Sequence, residues 1–253
     1  MRERDVAGRH GGFIAEGEVV LRVLARSQTC RPRAVLVIAN RVEKLRPLLA
    51  TFGDEVAIYV AAQKVMDHVV GFPIHRGILA FGERPAEPSA EDLLAAVGGQ
   101  AMVVCLFGVS NHDNVGGVFR NAAAFGATAV LLDPACCDPL YRKAIRVSVG
   151  AALTVPFARL SSEEDALVLL ARHGFSALAL SPSGATLLGN VVRPSDRMAI
   201  LLGSEGEGLP PALLAGATGV SIPMAKGFDS LNIATTSGIV LHHLARASAK
   251  ETS

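Results

Sequence analysis

Three short stretches after residue 100 combine polar side chains with glycines in ways that could serve chemistry. They span residues 114–120, 203–208 and 223–232. Asparagine, serine and glutamate can orient a ligand through hydrogen bonds, and arginine can hold a phosphate group with its planar guanidinium. The glycines let the backbone approach a ligand closely. Together these residue types indicate a ligand site.

Each stretch also has an ordinary structural interpretation. Asn114 is suited to cap a helix, and Ser230 or Asn232 is suited to cap another. A glycine-rich segment such as 203–208 can serve only as a tight turn. Arg120 lies opposite the apolar face of its predicted helix, toward solvent or a ligand. Taken singly, the three stretches therefore leave the function open.

The apolar segments around these stretches predict a parallel sheet. Strands are predicted at 101–109, 127–133, 175–181, 198–203 and 219–224, with helices at 115–125, 161–173 and 233–245. Alternating strands and helices with apolar strands indicate an α/β fold whose sheet is covered on both faces. Ligands of such sheets bind beyond the carboxyl ends of the strands. All three polar stretches follow strand ends, so we expect them to converge.

The beginning of the chain predicts a smaller α/β unit. Helices are predicted at 12–26 and 42–52, and strands at 33–39 and 56–60. A segment with two prolines and few apolar residues, 84–89, indicates a linker. We therefore predict three parts: a front domain over 1–84, a linker and short helix over 85–98, and a back domain over 99–253.

The composition excludes several classes of protein. Half of the 253 residues are hydrophobic and the net charge is +1, which is typical of a folded chain rather than a disordered one. No apolar run approaches the roughly 20 residues of a membrane span, and the first residues do not form a signal peptide. The four cysteines include no Cys-x-x-Cys pair, so neither zinc nor a disulfide framework is expected. We predict a cytoplasmic protein without membrane or metal partners.

The charge is distributed unevenly along the chain. Residues 1–46 contain 10 Lys and Arg against 5 Asp and Glu, and nearly all of the cations are arginines. Arginine binds phosphate with two hydrogen bonds and stacks on bases. The front end therefore suggests a polyanion partner, although a solvated basic surface explains the same count.

A nucleotide-dependent α/β enzyme is one alternative. A dinucleotide site needs a G-x-G-x-x-G fingerprint after the first strand and an acidic residue about 20 residues later. Asp133 stands at a suitable distance, but the turn after 101–109 lacks the glycine fingerprint. The glycine-rich segment comes late in the chain, and no P-loop sequence occurs.

In their order, the three stretches resemble the motifs of the SpoU/TrmH family of RNA ribose 2′-O-methyltransferases, in the SPOUT superfamily. The matching segments are Asn114-Val-Gly-Gly-Val-Phe-Arg120, Leu201-Leu-Gly203-Ser-Glu205-Gly-Glu-Gly208-Leu, and Ile222-Pro-Met224 with Ser230-Leu-Asn232. The intervening segment 143–151 is also similar. So are Phe13-Ile-Ala-Glu16-Gly17 and His75-Arg-Gly77 in the front part, which resemble the family's substrate-binding domain.

The resemblance implies a fold, a cofactor and an assembly. The back domain is expected to be an α/β fold with a C-terminal trefoil knot that binds S-adenosylmethionine. Backbone groups of Gly203, Ile222 and Leu231 are expected to hold the cofactor. The family acts as a homodimer joined through the knotted domain, on ribosomal or transfer RNA. We favour ribosomal RNA because members with such a front domain often act on it.

The resemblance also implies roles for five side chains. Arg120 is nominated as the base that activates the ribose hydroxyl, although the high basicity of any guanidinium makes an electrostatic role at the phosphate and the alkoxide equally plausible. Asn114 is expected to orient Arg120 or the ribose, and Glu205 is expected to anchor its loop or the Arg120 guanidinium. Ser230 and Asn232 are expected to align cofactor and ribose.

Three points of this interpretation stay open. His112, near the first motif, is a minor candidate for a catalytic contribution. Ala234 stands where many family members have serine, which leaves one polar contact in doubt. A non-catalytic RNA-binding relative with the same fold is the second functional alternative.

Overall fold

The computed structural model describes residues 11–70, 76–162, 165–191 and 195–250. His75, in the front-domain motif, lies outside the described residues. The chain divides into two compact units. The first comprises the residues up to Ala86 together with Asp138–Thr154, and the second comprises Glu87–Cys137 together with the residues from Val155 onward. Residues 138–154, which the sequence analysis assigned to the back domain, therefore pack with the first unit.

The first unit is built on a four-stranded mixed sheet. Its elements before residue 87 are β1 (Gly12–Glu16), α1 (Glu18–Leu24), β2 (Arg31–Ile38), α2 (Val42–Leu49), β3 (Ala57–Ala61), α3 (Gln63–Val70) and β4 (Ile78–Glu83). The strand order is β1-β4-β2-β3. Strand β4 runs antiparallel to β1 and β2, and β2 runs parallel to β3.

The predicted helix at 12–26 is wrong over its first half. Residues 12–16 form β1, which pairs with β4, and the helix begins only at Glu18. Gly17 separates the two with a φ of 94°, a left-handed conformation that glycine adopts without strain. The apolar spacing of this segment suits both a helix and a half-buried strand, so periodicity alone did not locate the break.

The remaining elements follow in chain order. They are α4 (Ala90–Ala96), β5 (Ala101–Leu106), α5 (His112–Ala124), β6 (Ala129–Leu132), α6 (Arg142–Val147), β7 (Phe157–Arg159), α7 (Ala166–Arg172), β8 (Ser176–Leu180), β9 (Thr186–Leu187), β10 (Arg197–Leu202), α8 (Pro211–Gly216), β11 (Thr218–Ser221) and α9 (Ile233–Lys250). Of these, only α6 belongs to the first unit, where it packs against β1.

The second unit contains a seven-stranded sheet in the order β7-β6-β5-β10-β8-β11-β9. Every neighbouring pair is parallel, which confirms the predicted parallel sheet. The sequence analysis missed β7 and β9. They are three and two residues long, too short to show a hydrophobic period.

Both faces of this sheet are covered. On one face, alternate residues of β5 pack in a cluster with α4, α7 and α8. Helix α5 packs near β6, and α9 packs against α5. All six residues of β5 are buried, as expected for a central strand between two helical layers. None of the described helices is long and apolar enough to cross a membrane.

Helices α5 and α9 approach each other closely through small residues. A Cβ on Gly117 would lie 2.5 Å from the Cβ of Ala234, so neither position has room for a larger side chain without movement. One turn further, the Asn121 Nδ2 donates to the Ala234 carbonyl at 2.6 Å and to the Ser237 hydroxyl at 2.9 Å. Position 234 thus makes polar contacts through its carbonyl, which accepts from Asn121 and Ser237, although alanine has no hydroxyl.

Candidate functional site

A cleft of about 420 Å³ opens at the carboxyl ends of β8, β10 and β11. Its lining residues come from those strand ends, from the two loops that follow β10 and β11, and from the start of α9. They are Leu180, Ser181, Pro182, Leu202, Gly203, Ser204, Glu205, Gly206, Glu207, Gly208, Leu209, Leu214, Val220, Ile222, Met224, Asp229, Ser230, Leu231, Ile233 and Thr236. The second and third predicted motifs thus share one cleft.

The loop after β10 folds back tightly on Gly203. The Gly208 amide donates to the Ser204 carbonyl at 3.1 Å, and Gly208 itself has a φ of 74°. A Cβ on Gly203 would collide with the backbone of Gly208 and Leu209. Moving backbone atoms is costly, so the loop requires glycine at position 203. The result is a cleft wall made partly of backbone, which offers amide and carbonyl groups to a ligand.

The loop after β11 forms the opposite wall. Ile222 and Met224 are half-buried and line the cleft, and Ser230 and Leu231 line it as the loop returns toward α9. The Ser230 hydroxyl donates to the Asp229 carboxylate at 3.3 Å. The wall therefore combines apolar side chains with an exposed hydroxyl and carboxylate.

Asn232 joins two of the motifs to the helix that follows it. Its Oδ1 accepts from the backbone amides of Ala234 at 2.9 Å and Thr235 at 3.2 Å, which caps α9. Its Nδ2 donates to Asn114 Oδ1 at 2.8 Å and to Glu205 Oε1 at 3.0 Å. One side chain thus performs the structural role and also builds a polar network beside the cleft.

Asn114 does not cap α5 as expected. The cap is Asn111, whose Oδ1 accepts from the Asp113 amide at 2.9 Å, and the helix begins at His112. Asn114 lies inside the first turn, buried, with its Oδ1 occupied by Asn232. A buried amide needs such a partner, so the contact fixes the start of α5 against the start of α9.

Arg120 lies apart from this network. It is exposed on α5, as the helical wheel predicted, and it is absent from the residues that line the cleft. Six residues separate it from Asn114, which corresponds to about 9 Å along the helix and a rotation of roughly 120° between the two side chains. The hydrogen bonds of the described residues therefore join Asn114, Glu205 and Asn232, and they do not include Arg120.

The end of β5 is occupied by buried groups of the chain itself. Asp133, fully buried, accepts from the amides of Gly108 at 2.9 Å and Cys136 at 2.8 Å. Its carboxylate is used by the protein's own backbone, so it is not placed to bind a ribose as the dinucleotide alternative requires. His112 does not line the cleft, and no cluster of three metal-ligating side chains occurs in the described part of the chain.

Several lining residues were not singled out from the sequence. Leu180, Ser181 and Pro182 follow β8, and Thr236 lies one turn into α9. A Ser-Pro pair after a predicted strand was the available signal for the first group. Nothing local distinguishes Thr236, because its position depends on where α9 packs.

Comparison with known proteins agrees with this geometry. Residues 101–242 match the model of the SpoU rRNA Methylase family. Over 239 residues the chain is 40% identical to a Mycobacterium tuberculosis H37Rv protein named an uncharacterized tRNA/rRNA methyltransferase, an alignment that covers 92% of this chain and 81% of that protein.

Two solved structures share the fold. An rRNA methyltransferase from Sinorhizobium meliloti, solved with bound AdoMet, superimposes with a TM-score of 0.79 at 24% identity and covers 97% of this chain and 90% of its own. A structure described as giving insight into 2-OH methylation of C/U34 on tRNA has a TM-score of 0.55 at 26% identity and covers 60% of this chain and 98% of its own. With the family match over more than half of its length and the 40% identity to a named methyltransferase, this chain belongs to the SpoU rRNA methylase family.

Proposed function

We propose that the protein transfers a methyl group from S-adenosylmethionine to a ribose 2′-hydroxyl in structured RNA, with ribosomal RNA as the favoured substrate. The observation that carries this proposal is the hydrogen-bonded network of Asn114, Glu205 and Asn232 beside the cleft. The similar structures described as an AdoMet-bound rRNA methyltransferase and as a study of 2-OH methylation support the cofactor and the reacting group.

The relative coverage of the two structures supports ribosomal RNA. The rRNA methyltransferase matches 97% of this chain, whereas the structure concerned with tRNA matches 60%. A match over 97% of the chain must include most of the first unit, whereas the shorter match leaves about 40% of the chain uncovered. We infer that the first unit contributes to the choice of RNA.

The cleft fits the proposed cofactor by its size and lining. Its 420 Å³ lies within the range of roughly 300–1,000 Å³ that small-molecule sites occupy. Apolar side chains such as Leu180 and Met224 suit an adenine ring, and the exposed backbone of Gly203, Ile222 and Leu231 suits its polar edge. When bound, S-adenosylmethionine supplies an electrophilic methyl group on a sulfonium.

Each residue of the network has a role in positioning. Asn232 is fixed by the start of α9, and through its Nδ2 it fixes Asn114 and Glu205. Glu205 retains a second carboxylate oxygen that can bind a guanidinium or a ribose hydroxyl. Ser230, on the cleft wall, offers a hydroxyl to the same region. Positioning of this kind contributes several kcal/mol to a transfer between two bound groups.

Arg120 completes the proposed site from a second subunit. We propose a homodimer through the second unit, in which Arg120 of each subunit serves the cleft of its partner. The exposure of Arg120 and its absence from its own cleft support this arrangement. There the guanidinium would hold the substrate phosphate and stabilise negative charge that develops on the ribose oxygen.

The topology of the second unit supports a C-terminal knot. Strand β11 lies beyond β8, on the side of the sheet away from β5, yet α9 packs on α5, the helix that follows β5. The segment 222–232 must therefore cross the carboxyl end of β10, where the loop 203–208 lies. A crossing of two loops at one sheet edge is rare in proteins and is what the proposed knot requires.

The first unit carries a basic cluster that suits RNA phosphates. Glu16 is 6% exposed and accepts from Arg142 Nη1 at 2.8 Å, with Arg146 Nη1 4.0 Å away. The Arg76 side chain lies against Gly17, the next residue. Two arginines beside the Glu16 carboxylate and a third beside Gly17 support binding of a polyanion with steep salt dependence.

Methyl transfer from labelled S-adenosylmethionine to total rRNA and total tRNA tests the proposal. We expect transfer to the rRNA fraction, a modified ribose on nucleotide mapping, and a loss of at least about 100-fold in Arg120→Ala. Arg172→Ala, which removes an exposed arginine from α7, is the matched control and should retain activity. RNA binding without cofactor binding in calorimetry would instead support a non-catalytic relative.

Mixing two inactive variants tests the contribution of Arg120 across subunits. Arg120→Ala and Asn232→Ala subunits, refolded together, form mixed dimers in which one cleft has both residues intact. We expect the mixture to recover about one quarter of wild-type activity, since half of the randomly formed dimers carry one complete site of two. No recovery, with mixed dimers verified by mass, would place Arg120 in its own cleft or outside the site.

A further inference from the structure

Phe228 is the most exposed large apolar residue in the described part of the chain. Its exposed fraction is 75%, although it lies in the loop that forms one wall of the cleft. The next residues, Asp229, Ser230 and Leu231, all line the cleft. An aromatic ring left in water loses the stabilisation of burial, so the structure around it gives no reason for this residue type.

The backbone holds Phe228 in a defined position. The Phe228 amide donates to the Ala225 carbonyl at 3.2 Å, which closes a four-residue turn. Gly227, the third residue of this turn, has a φ of 88°, the conformation that a type II turn needs there. Ser230 follows two residues later, so its Cα lies within about 7 Å of the Phe228 Cα. Phe228 therefore lies near the mouth of the cleft, with its ring exposed to solvent.

The proposed reaction determines what must lie at that mouth. The carbon that bears the ribose 2′-hydroxyl is bonded to the carbon that bears the base. When the hydroxyl is in the cleft, its own base is attached only three bonds away from the hydroxyl oxygen, so it must lie close to the cleft. Aromatic side chains stack on bases of any sequence, because every base has a π-face. A lysine, Lys226, lies in the same turn and can contact a nearby phosphate.

We propose that Phe228 stacks on the base of the nucleotide whose ribose is methylated, and that this nucleotide is therefore unpaired in the substrate RNA. This inference rests on the proposed function. A base stacked on a side chain must leave the stack of an RNA helix, as bases in loops and bulges do. The charged neighbours Lys226 and Asp229 favour RNA over a second copy of the chain, since charged residues are depleted at the cores of protein interfaces.

The sequence contains no tryptophan, so Phe228→Trp places a single fluorescent reporter at this position. With rRNA as the probe, and binding followed independently by filter retention, we expect two results. Without RNA the indole emits as a solvent-exposed group that acrylamide quenches. With saturating RNA the emission is quenched by base stacking and becomes protected from acrylamide.

Kinetics of three variants measure the contribution of the ring. Phe228→Ala should lower kcat/KM for RNA by about 5- to 150-fold, the range expected for loss of one base stack. Phe228→Tyr and Phe228→Trp should restore most of it. Val168→Ala removes another exposed apolar side chain, 61% exposed on α7, and should have no effect. Affinity for S-adenosylmethionine by calorimetry should be the same in these variants and in the control.

The outcomes separate this inference from the function on which it rests. A wild-type protein that methylates RNA, with equal kcat/KM in Phe228→Ala, would overturn the stacking contact alone. An indole emission of Phe228→Trp that is blue-shifted and protected without RNA, together with a monomeric Phe228→Ala, would show instead that the ring lies between two copies. A wild-type protein that neither binds nor methylates RNA would overturn both proposals.

Discussion

Two neighbouring strands of the parallel sheet end differently. Strands β5 and β10 are paired in register, with Leu106 opposite Leu202, so their carboxyl ends reach the same edge of the sheet. Beyond β5 the chain fills the space with its own groups, whereas beyond β10 it leaves a cleft. We refer to these as the closed end and the open end.

The closed end is held by buried hydrogen bonds. The Asp133 carboxylate accepts from two backbone amides, and the Cys136 thiol lies between the Val109 amide at 3.3 Å and the Leu106 carbonyl at 3.4 Å. Every one of these polar groups has a partner within the protein. Such an arrangement stabilises the fold and leaves no group for a ligand.

The open end is made of exposed polar groups. Glu205 and Ser230 are exposed, and Asn232 retains solvent access while it binds Asn114. Ligands of parallel sheets bind at the carboxyl edge, and this rule correctly indicates the edge of the sheet that holds the cleft. It does not indicate which strands of that edge the cleft follows. The dinucleotide alternative needs a ligand at the carboxyl end of β5. At that end the protein's own groups form the buried hydrogen bonds described above.

Among the residues of the open end, we expect substitution of Asn232 to have the largest effect on activity. Asn232→Asp keeps the oxygen that caps α9 but loses the Nδ2 donor and places a carboxylate beside Glu205. We expect roughly a 100-fold loss of methyl transfer, because displacement of positioning groups costs this much. The free energy of unfolding should fall by about 1–3 kcal/mol, because the cap is kept but the buried Asn114 Oδ1 loses its donor.

The control for Asn232→Asp is Asn190→Asp, the same change at an exposed position of the second unit. It should leave both activity and unfolding unchanged. Near-normal turnover in Asn232→Asp would show that the hydrogen-bonded network is only structural. The hydrogen bonds at the open end would then serve only to stabilise the fold, as those at the closed end do.

A substitution at the closed end should lower the stability of the fold and leave methyl transfer unchanged. Asp133→Asn replaces one of the two accepting oxygens with an amide that faces a backbone N–H. Leaving one buried donor unsatisfied should lower the free energy of unfolding by about 1–3 kcal/mol, measured by urea denaturation. Methyl transfer per folded molecule should stay within about twofold of wild type, since Asp133 is not part of the proposed chemistry.

Asp54→Asn serves as its control, because Asp54 is exposed in the first unit. This change should leave both quantities at their wild-type values. A folded, stable Asp133→Asn that has lost activity would make the closed end part of the catalytic site.

The smallest expected effect is a pH dependence at the closed end. Burial, with a further contribution from Asp133, raises the pKa of the Cys136 thiol above its ordinary value of 9.0. Above about pH 9 the unfolded chain loses this proton while the folded chain keeps it, so stability falls as pH rises. The slope is at most about 1.4 kcal/mol per pH unit.

Other groups also titrate above pH 9, so the contribution of Cys136 has to be measured as the difference in stability between wild type and a variant without this thiol. The free energy of unfolding of wild type minus that of Cys136→Ala, determined from about pH 7 to about pH 10.5, should decline above pH 9. A flat difference for Cys136→Ala would mean that its thiol is solvated and the closed end is open to water.

Much of the second unit was predictable because its signals are local. Buried strands such as β5 and β10 are continuous apolar runs, and α5 has an apolar face at helical spacing. The glycines of 203–208 and the polar residues of 230–232 form patterns that can be recognised from a few consecutive residues. The order of these stretches was enough to identify the family, which the comparisons confirm.

Other features depended on contacts between distant residues. The start of the first unit changed from helix to strand because β4, some 65 residues later, pairs with β1. Segment 138–154 packs with the first unit through ion pairs such as Arg142 with Glu16, which no local pattern shows. Asn111, and not Asn114, caps α5, because Asn114 is occupied by Asn232.

The sequence by itself determined the parallel sheet of the second unit, most of that unit's element types and the residues that could do chemistry, because periodicity and side-chain chemistry are properties of short segments. Only the tertiary structure decided which strand end is open, which asparagine binds which, and that Arg120 stands away from its own cleft. Those facts depend on where segments more than a hundred residues apart meet. Their positions are set by the packing of the whole sheet and its helices, and no short window of sequence contains that information.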